Sequence, residues 1–175
     1  RVLFYSKQTK IISAAEKALE VNKFDTLHAH TLFTDGNCAM ILSEKYQIPY
    51  LVAVRNTDVN TFFRLMPHLR NLGIRIMQNA SAIVFLSPEY RNYLFDKYVP
   101  EQCKDQLVQK SYIIPNGIDD FWHENAWKKD INDSLERFRQ KSIRVIYAGR
   151  IDRNKNIPSI QVALAILRSR GWKTE

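Results

Sequence analysis

Tyr50-Leu51-Val52-Ala53-Val54-Arg55-Asn56-Thr57-Asp58 sets an apolar run directly before a polar one. The apolar part is too short for a helix and carries β-branched valines, and it stops at an Asn and an Asp that favour a turn or a helix cap. It reads as a buried strand whose carboxyl end opens into a polar loop.

The same pattern recurs on both sides. Upstream, Gly36 to Tyr46 reads as a helix ending before Ile48-Pro49, and Phe24 to Ala29 as a strand. Ile11 to Val21 reads as a helix with Ile12, Ala15 and Leu19 on one side, and Arg1 to Ser6 as a short strand. Downstream, Val59 to Asn79 has helical spacing in which Pro67 or Gly73 forces a kink or break, and its residues Phe62, Phe63, Leu65, Met66, Leu69 and Leu72 read as core packing. Ala82 to Leu86 is a strand closed by Ser87-Pro88, and Glu89 to Tyr98 a helix. A polar connection then leads to the strand Tyr112 to Ile114 and the turn Pro115-Asn116-Gly117. Ile143, Val145, Ile146 and Tyr147 read as a further buried strand, and Asn156 with Pro158 opens the helical pattern Ile157, Ile160, Leu164, Leu167. Alternating short strands and helices predict an α/β fold, a parallel sheet with helices on both faces. Ligands of such sheets collect at the carboxyl ends of the strands.

Polar clusters sit at those ends: His28-Ala29-His30, Arg55-Asn56-Thr57-Asp58, Ser87, Asn116-Gly117-Ile118-Asp119, and Arg150 to Lys155. Together they read as a cleft for a polyhydroxylated or phosphorylated ligand. In the last cluster, behind Gly149, the Arg150 guanidinium can grip phosphate oxygens bidentately and Lys155 adds a point charge. The following helix N-terminus contributes its dipole and free N–H groups. The competing reading is two solvated loop cations. Other residues also have structural readings. Thr57 and Asp58 either cap the next helix or touch a ligand, Ser87 caps its helix, and Asn116-Gly117 serves backbone geometry. Alternation along a strand is expected to set His28 on the face opposite His30, which makes the pair a poor metal site, and no metal is expected. His30 is left as a cleft residue.

The chain has 175 residues, 45% hydrophobic and 25% charged, an ordinary globular composition. No apolar run approaches the ~20 residues of a membrane helix and no leader is evident, so a cytoplasmic location is expected. Cys38, in a helix, and Cys103, in the polar connection, read as free thiols. The net charge of +8 calls for an anionic partner. Its cations, among them Arg64, Arg91, Lys97, Lys128 and Lys129, are scattered without a zinc finger or RNP motif, which argues against nucleic acid.

Three blocks, Phe-Asp-Thr-Leu-His-Ala-His (24 to 30), Ile-Ile-Pro-Asn-Gly-Ile-Asp (113 to 119) and Tyr-Ala-Gly-Arg-Ile-Asp-Arg-Asn-Lys-Asn (147 to 156), resemble in this order glycosyltransferase family 4. The resemblance runs from about His28 to the end of the chain. It implies a GT-B architecture, two Rossmann-like domains with the active site in the cleft between them. It also implies retaining transfer of a sugar from a nucleotide-diphosphate sugar, with no cofactor and no obligatory metal. Residues 1–118 would be most of the N-terminal, acceptor-side domain, 119–142 the connection and 143–175 the start of the donor-binding domain. The chain would then be the middle of a longer enzyme, a truncated GT-B half inactive by itself. Gly149, Arg150 and Lys155 match the donor-diphosphate grip, with Arg150 and Lys155 as its catalytic cations. His30, Arg55, Asn56, Thr57, Asp58 and Asn116 fall on the acceptor side. Many family members have His-Gly-Thr at the third strand end, whereas this chain has Arg55-Asn56-Thr57, whose arginine suits an anionic group. The implied partners are a nucleotide sugar and a carbohydrate or lipid-linked acceptor, with peripheral membrane contact left open. Two alternatives stand beside this reading: a GT-B-like nucleotide-sugar epimerase, and a non-catalytic α/β module binding phosphorylated ligands.

Overall fold

The structure, a computed structural model, describes residues 2–125 and 131–175. It divides into two compact units, Arg1–Gly117 and Ile118–Glu175.

The first unit is built on a four-stranded, all-parallel sheet in the order β1 (Leu27–Ala29), β2 (Tyr50–Val54), β3 (Ala82–Phe85), β4 (Ser111–Ile113). Its helices are α1 (Val2–Ala18), α2 (Thr34–Tyr46), α3 (Arg70–Asn79), α4 (Pro88–Tyr98) and α5 (Glu101–Gln109). Tyr50, Val52 and Val54 of β2 and Ile83 and Phe85 of β3 are buried with Met40 of α2, Ile76 and Met77 of α3, Leu94 and Phe95 of α4, and Leu107 of α5. Each such side chain contributes about 1.5–3 kcal/mol on burial. Leu51 and Val84, on the alternate face, are only half-buried.

The helical region after β2 is interrupted. Asp58–Phe63 is a π-helix, and Met66 breaks the helix ahead of a 3-10 turn at Pro67–Leu69. The break therefore falls at Pro67, whose ring cannot continue the preceding turn, and Gly73 lies inside an unbroken α3. Glycine is needed there because a Cβ would meet the Phe33 ring at 2.7 Å and the Phe63 ring at 2.9 Å. Phe63, Leu69 and Leu72 are core residues and Phe62 and Met66 pack against them, whereas Leu65 is 66% exposed.

Several expectations need correction. The strand expected over residues 1–6 is the first turn of α1, with Arg1 itself outside the described residues. Short apolar runs suit either period, and here packing against α2 decides: the Gln8 Oε1 accepts from Cys38 Sγ at 2.8 Å and Asn37 Nδ2 at 3.4 Å. The strand expected from Phe24 begins only at Leu27, where β2 offers partners. The polar connection after Tyr98 holds α5, which places Cys103 in a helix. Two inward residues, Cys103 and Leu107, seat that helix, and their one-turn spacing is a faint signal in a polar stretch.

The second unit contains α6 (Asp120–Glu124), α7 (Ile131–Arg139), β5 (Ser142–Ile143), α8 (Ile157–Ser169) and β6 (Lys173–Thr174), with β5 and β6 paired in parallel. Lys128 and Lys129 lie outside the described residues. The buried strand expected over 143–147 is not found. Pairing stops after two residues, with flanking bonds from Lys173 N to Lys141 O, Glu175 N to Ile143 O and Val145 N to Glu175 O, and Ile146 is 94% exposed. Among the described residues β5 has a single neighbouring strand, and beyond it Val145, Ile146 and Tyr147 are all exposed. α8 does turn its expected residues, Ile157, Ile160, Leu164 and Leu167, to its less exposed side.

Candidate functional site

The carboxyl ends of β1, β2 and β4 meet through one side chain. Arg55, first residue after β2, donates from Nε to the His30 carbonyl at 3.0 Å and from Nη1 to Asn116 Oδ1 at 3.0 Å. Both acceptors are neutral, so the guanidinium keeps its full positive charge at a partly exposed rim. His30, Asn56, Thr57 and Asn116 are exposed around it, and Asn60 donates its side-chain amide to Asn56 Oδ1.

Asp58 departs from its expected place in the cleft. It is 1% exposed, and its carboxylate accepts backbone N–H bonds from Leu32 (3.0 Å), Phe33 (3.3 Å) and Arg55 (2.8 Å). It ties the loop after β1 to the loop after β2 and so sets the position of Arg55. Burial pushes its pKa up, against the pull of the three N–H donors.

The histidines also need correction. His28 and His30 do not take opposite faces: their rings stack with centroids 4.2 Å apart. Side chains on a strand repeat with period two, so residues i and i+2 share a face, and Ala29 is the one that turns inward. Burial first, then the neighbouring His30 and Arg55, lowers the pKa of His28. Among the described residues no group of three metal-ligating side chains forms.

Ser87 caps α4, its Oγ accepting from Tyr90 N at 3.4 Å. Gly117 does not take a positive φ, and nothing crowds its Cα, so the expected glycine-specific turn is absent there. The role of Asn116 lies in its side chain instead. Its link to Arg55 spans 61 positions and could not be read from the sequence.

In the second unit, Gly149 has φ +155°, and a Cβ there would meet the Tyr147 hydroxyl at 2.9 Å. That hydroxyl reaches past the glycine to donate to the Arg150 carbonyl at 2.8 Å. A 3-10 turn, Arg153–Lys155, follows, and Lys155 N donates to Asp152 Oδ1 and to its carbonyl, both at 3.2 Å. The backbone is thus pinned, while the Arg150 and Lys155 side chains are exposed and make no hydrogen bond or ion pair among the described residues. Asn156 precedes α8 with φ 48° and provides no side-chain cap, so it leaves the helix N-terminus open. These two cations and this helix end can bind an anion.

The chain is 27% identical over 165 residues, 91% of its length, to a Bacillus subtilis (strain 168) protein named "Putative teichuronic acid biosynthesis glycosyltransferase TuaC". It spans 39% of that protein's length. Residues 4–120 match the family described as Glycosyltransferase Family 4, so the match begins well ahead of His28 and covers the first unit, with its Arg55 rim, rather than the Gly149 loop. With two thirds of its residues matched, this chain belongs to glycosyltransferase family 4.

Proposed function

We propose that the chain is part of a retaining glycosyltransferase that moves a sugar from a nucleotide-diphosphate sugar to a carbohydrate or lipid-linked acceptor. The observation that carries this reading is the pair of exposed cations, Arg150 and Lys155, without a partner among the described residues, on a pinned loop leading into a helix that Asn156 does not cap. Family membership supplies the reaction class. When the anomeric C–O bond breaks, negative charge grows on the leaving β-phosphate, and preorganised cations there stabilise the transition state more than the ground state. Gly149 would let the backbone approach the diphosphate. The acceptor hydroxyl would attack from the leaving-group side and pass its proton to the departing phosphate, which retains the anomeric configuration without a protein nucleophile, a metal or a cofactor.

On the acceptor side, His30, Asn56, Thr57 and Asn116 offer hydrogen-bonding groups around the Arg55 charge, suited to a hydroxylated acceptor carrying an anionic group. Similarity to a protein named for teichuronic acid biosynthesis supports a role in polysaccharide assembly. Among the described residues no helix is long and apolar enough to cross a membrane. A cytoplasmic enzyme with peripheral contact to anionic lipid fits the charge of +8.

In the full-length protein, Arg150→Ala and Lys155→Ala should each weaken nucleotide-sugar binding about tenfold and lower kcat about a hundredfold, as for loss of a transition-state donor. Calorimetric titration and product NMR, which also reads the anomeric configuration, provide the check. Wild-type donor affinity and rate in both variants would remove the diphosphate assignment.

A further inference from the structure

We propose that Asn116 is a positioning residue that competes with an anionic ligand for Arg55, so that filling the rim releases the segment joining the two units; this rests on the reading of Arg55 above as a site for an anionic group. The chain leaves the first unit at Gly117. Its last fixed point on the sheet is Ile114, whose N–H donates to the Phe85 carbonyl at 2.9 Å, and its next is Asp119, whose Oδ1 accepts from Phe121 N at 2.9 Å. Between them residues 115–118 are exposed and make no hydrogen bond through their backbone among the described residues. Nothing lies within 4 Å of where a Cβ at Gly117 would stand, so that glycine is free to change its dihedrals. The bond from Arg55 Nη1 to Asn116 Oδ1, 3.0 Å long, is what holds this stretch to the first unit.

Arg55 is held unequally on its two sides. Toward β1 its backbone N–H donates to the buried Asp58 carboxylate at 2.8 Å, and its Nε donates to the backbone carbonyl of His30 at 3.0 Å. Toward β4 it has one exposed, neutral carboxamide. A bidentate grip on a carboxylate or phosphate uses two neighbouring guanidinium nitrogens, Nε with Nη2 or Nη1 with Nη2. Nε and Nη1 are already engaged, so one partner has to give way. The His30 carbonyl moves only with the loop after β1, which Asp58 pins through Leu32 N and Phe33 N, whereas the Asn116 side chain leaves by rotating about its own bonds. The exchange favours the anion, because it replaces a neutral acceptor with an ionised one. Two partners contending for one guanidinium are thermodynamically linked. Whatever weakens the Asn116 bond strengthens anion binding by the same factor.

The test uses the full-length protein, with methyl β-D-glucuronide as carboxylate probe and methyl β-D-glucopyranoside as its uncharged control. NMR titration measures affinity, and the heteronuclear NOE of the Gly117 and Ile118 amides reports their fast mobility. Wild type should bind the glucuronide better than the glucoside, Arg55→Ala should lose that preference, and the NOE at both amides should fall as the probe saturates. Asn116→Ala should bind the glucuronide about fivefold tighter and show the low NOE without any probe. Asn116→Asp, which turns the tether into an ion pair, should bind about tenfold more weakly and keep the high NOE. The alanine variant is decisive, since loss of an ordinary ligand contact weakens binding. Equal or weaker glucuronide binding by folded Asn116→Ala, or an NOE in wild type that the probe leaves unchanged, would overturn the tether while Arg55 keeps its anion. No Arg55-dependent preference for the glucuronide in wild type would overturn the tether together with the anionic reading of Arg55. Transfer from nucleotide sugars, assayed separately, decides the transferase reading in either case.

Discussion

Asp58 shows how one residue can carry a site without touching a ligand. Its three N–H partners are all buried or part-buried. Asp58→Ala should therefore cost about 3 kcal/mol, since each orphaned donor carries a desolvation penalty of roughly 1–3 kcal/mol that local relaxation partly relieves; chemical denaturation measures it. Its pKa is raised above the ordinary 3.8, so the folded state holds the proton to higher pH than the unfolded chain. The associated stability is present below 3.8 and lost as pH rises through the folded value. The stability gap between wild type and Asp58→Asn should accordingly narrow as pH climbs from 3.8. A gap that widens instead would show that the N–H donors outweigh burial. The sequence offered a helix cap or a ligand contact for Asp58, and it takes neither role: buried under the loop after β1, its carboxylate ties two loops together and makes no side-chain cap at the helix that follows.

Among the elements, the region after β2 teaches most. Helical spacing with a proline and a glycine offered two places for a break, and only packing could choose. Gly73 survives inside α3 because its missing side chain admits Phe33 and Phe63, whose rings meet edge-on at 5.1 Å. Gly73→Ala should destabilise the protein by about 1–3 kcal/mol despite alanine's better helix propensity, because overpacking displaces two aromatic rings. A stabilised variant in thermal melts would show that the rings yield freely. α5 was hidden for the opposite reason: two inward side chains satisfy its place against α3, too few to mark a polar stretch as helical.

Across the whole chain the two units differ in how far they bury their strands. The first has fully buried residues in β2 and β3, while in the second the described strands have one partner and no residue of α6 or α8 is buried. Hydrogen exchange on the 175-residue chain should find β2 and β3 amides protected near the global limit and β5, β6 and α8 amides exchanging sooner. Equal protection in both sets would contradict this division.

The sequence by itself determined the parallel α/β plan of the first unit, the strand Tyr50–Val54 to the residue, the cap at Ser87 and the helix after Asn156. Apolar periodicity, β-branching and cap chemistry are local, and locality makes them legible. Tertiary structure alone decided that residues 2–6 join a helix, that Asp58 lies buried, that His28 and His30 stack, and that Arg55 bridges to Asn116. Those outcomes depend on which distant surface arrives to bury an apolar run or satisfy a polar group, and a linear pattern does not carry that information.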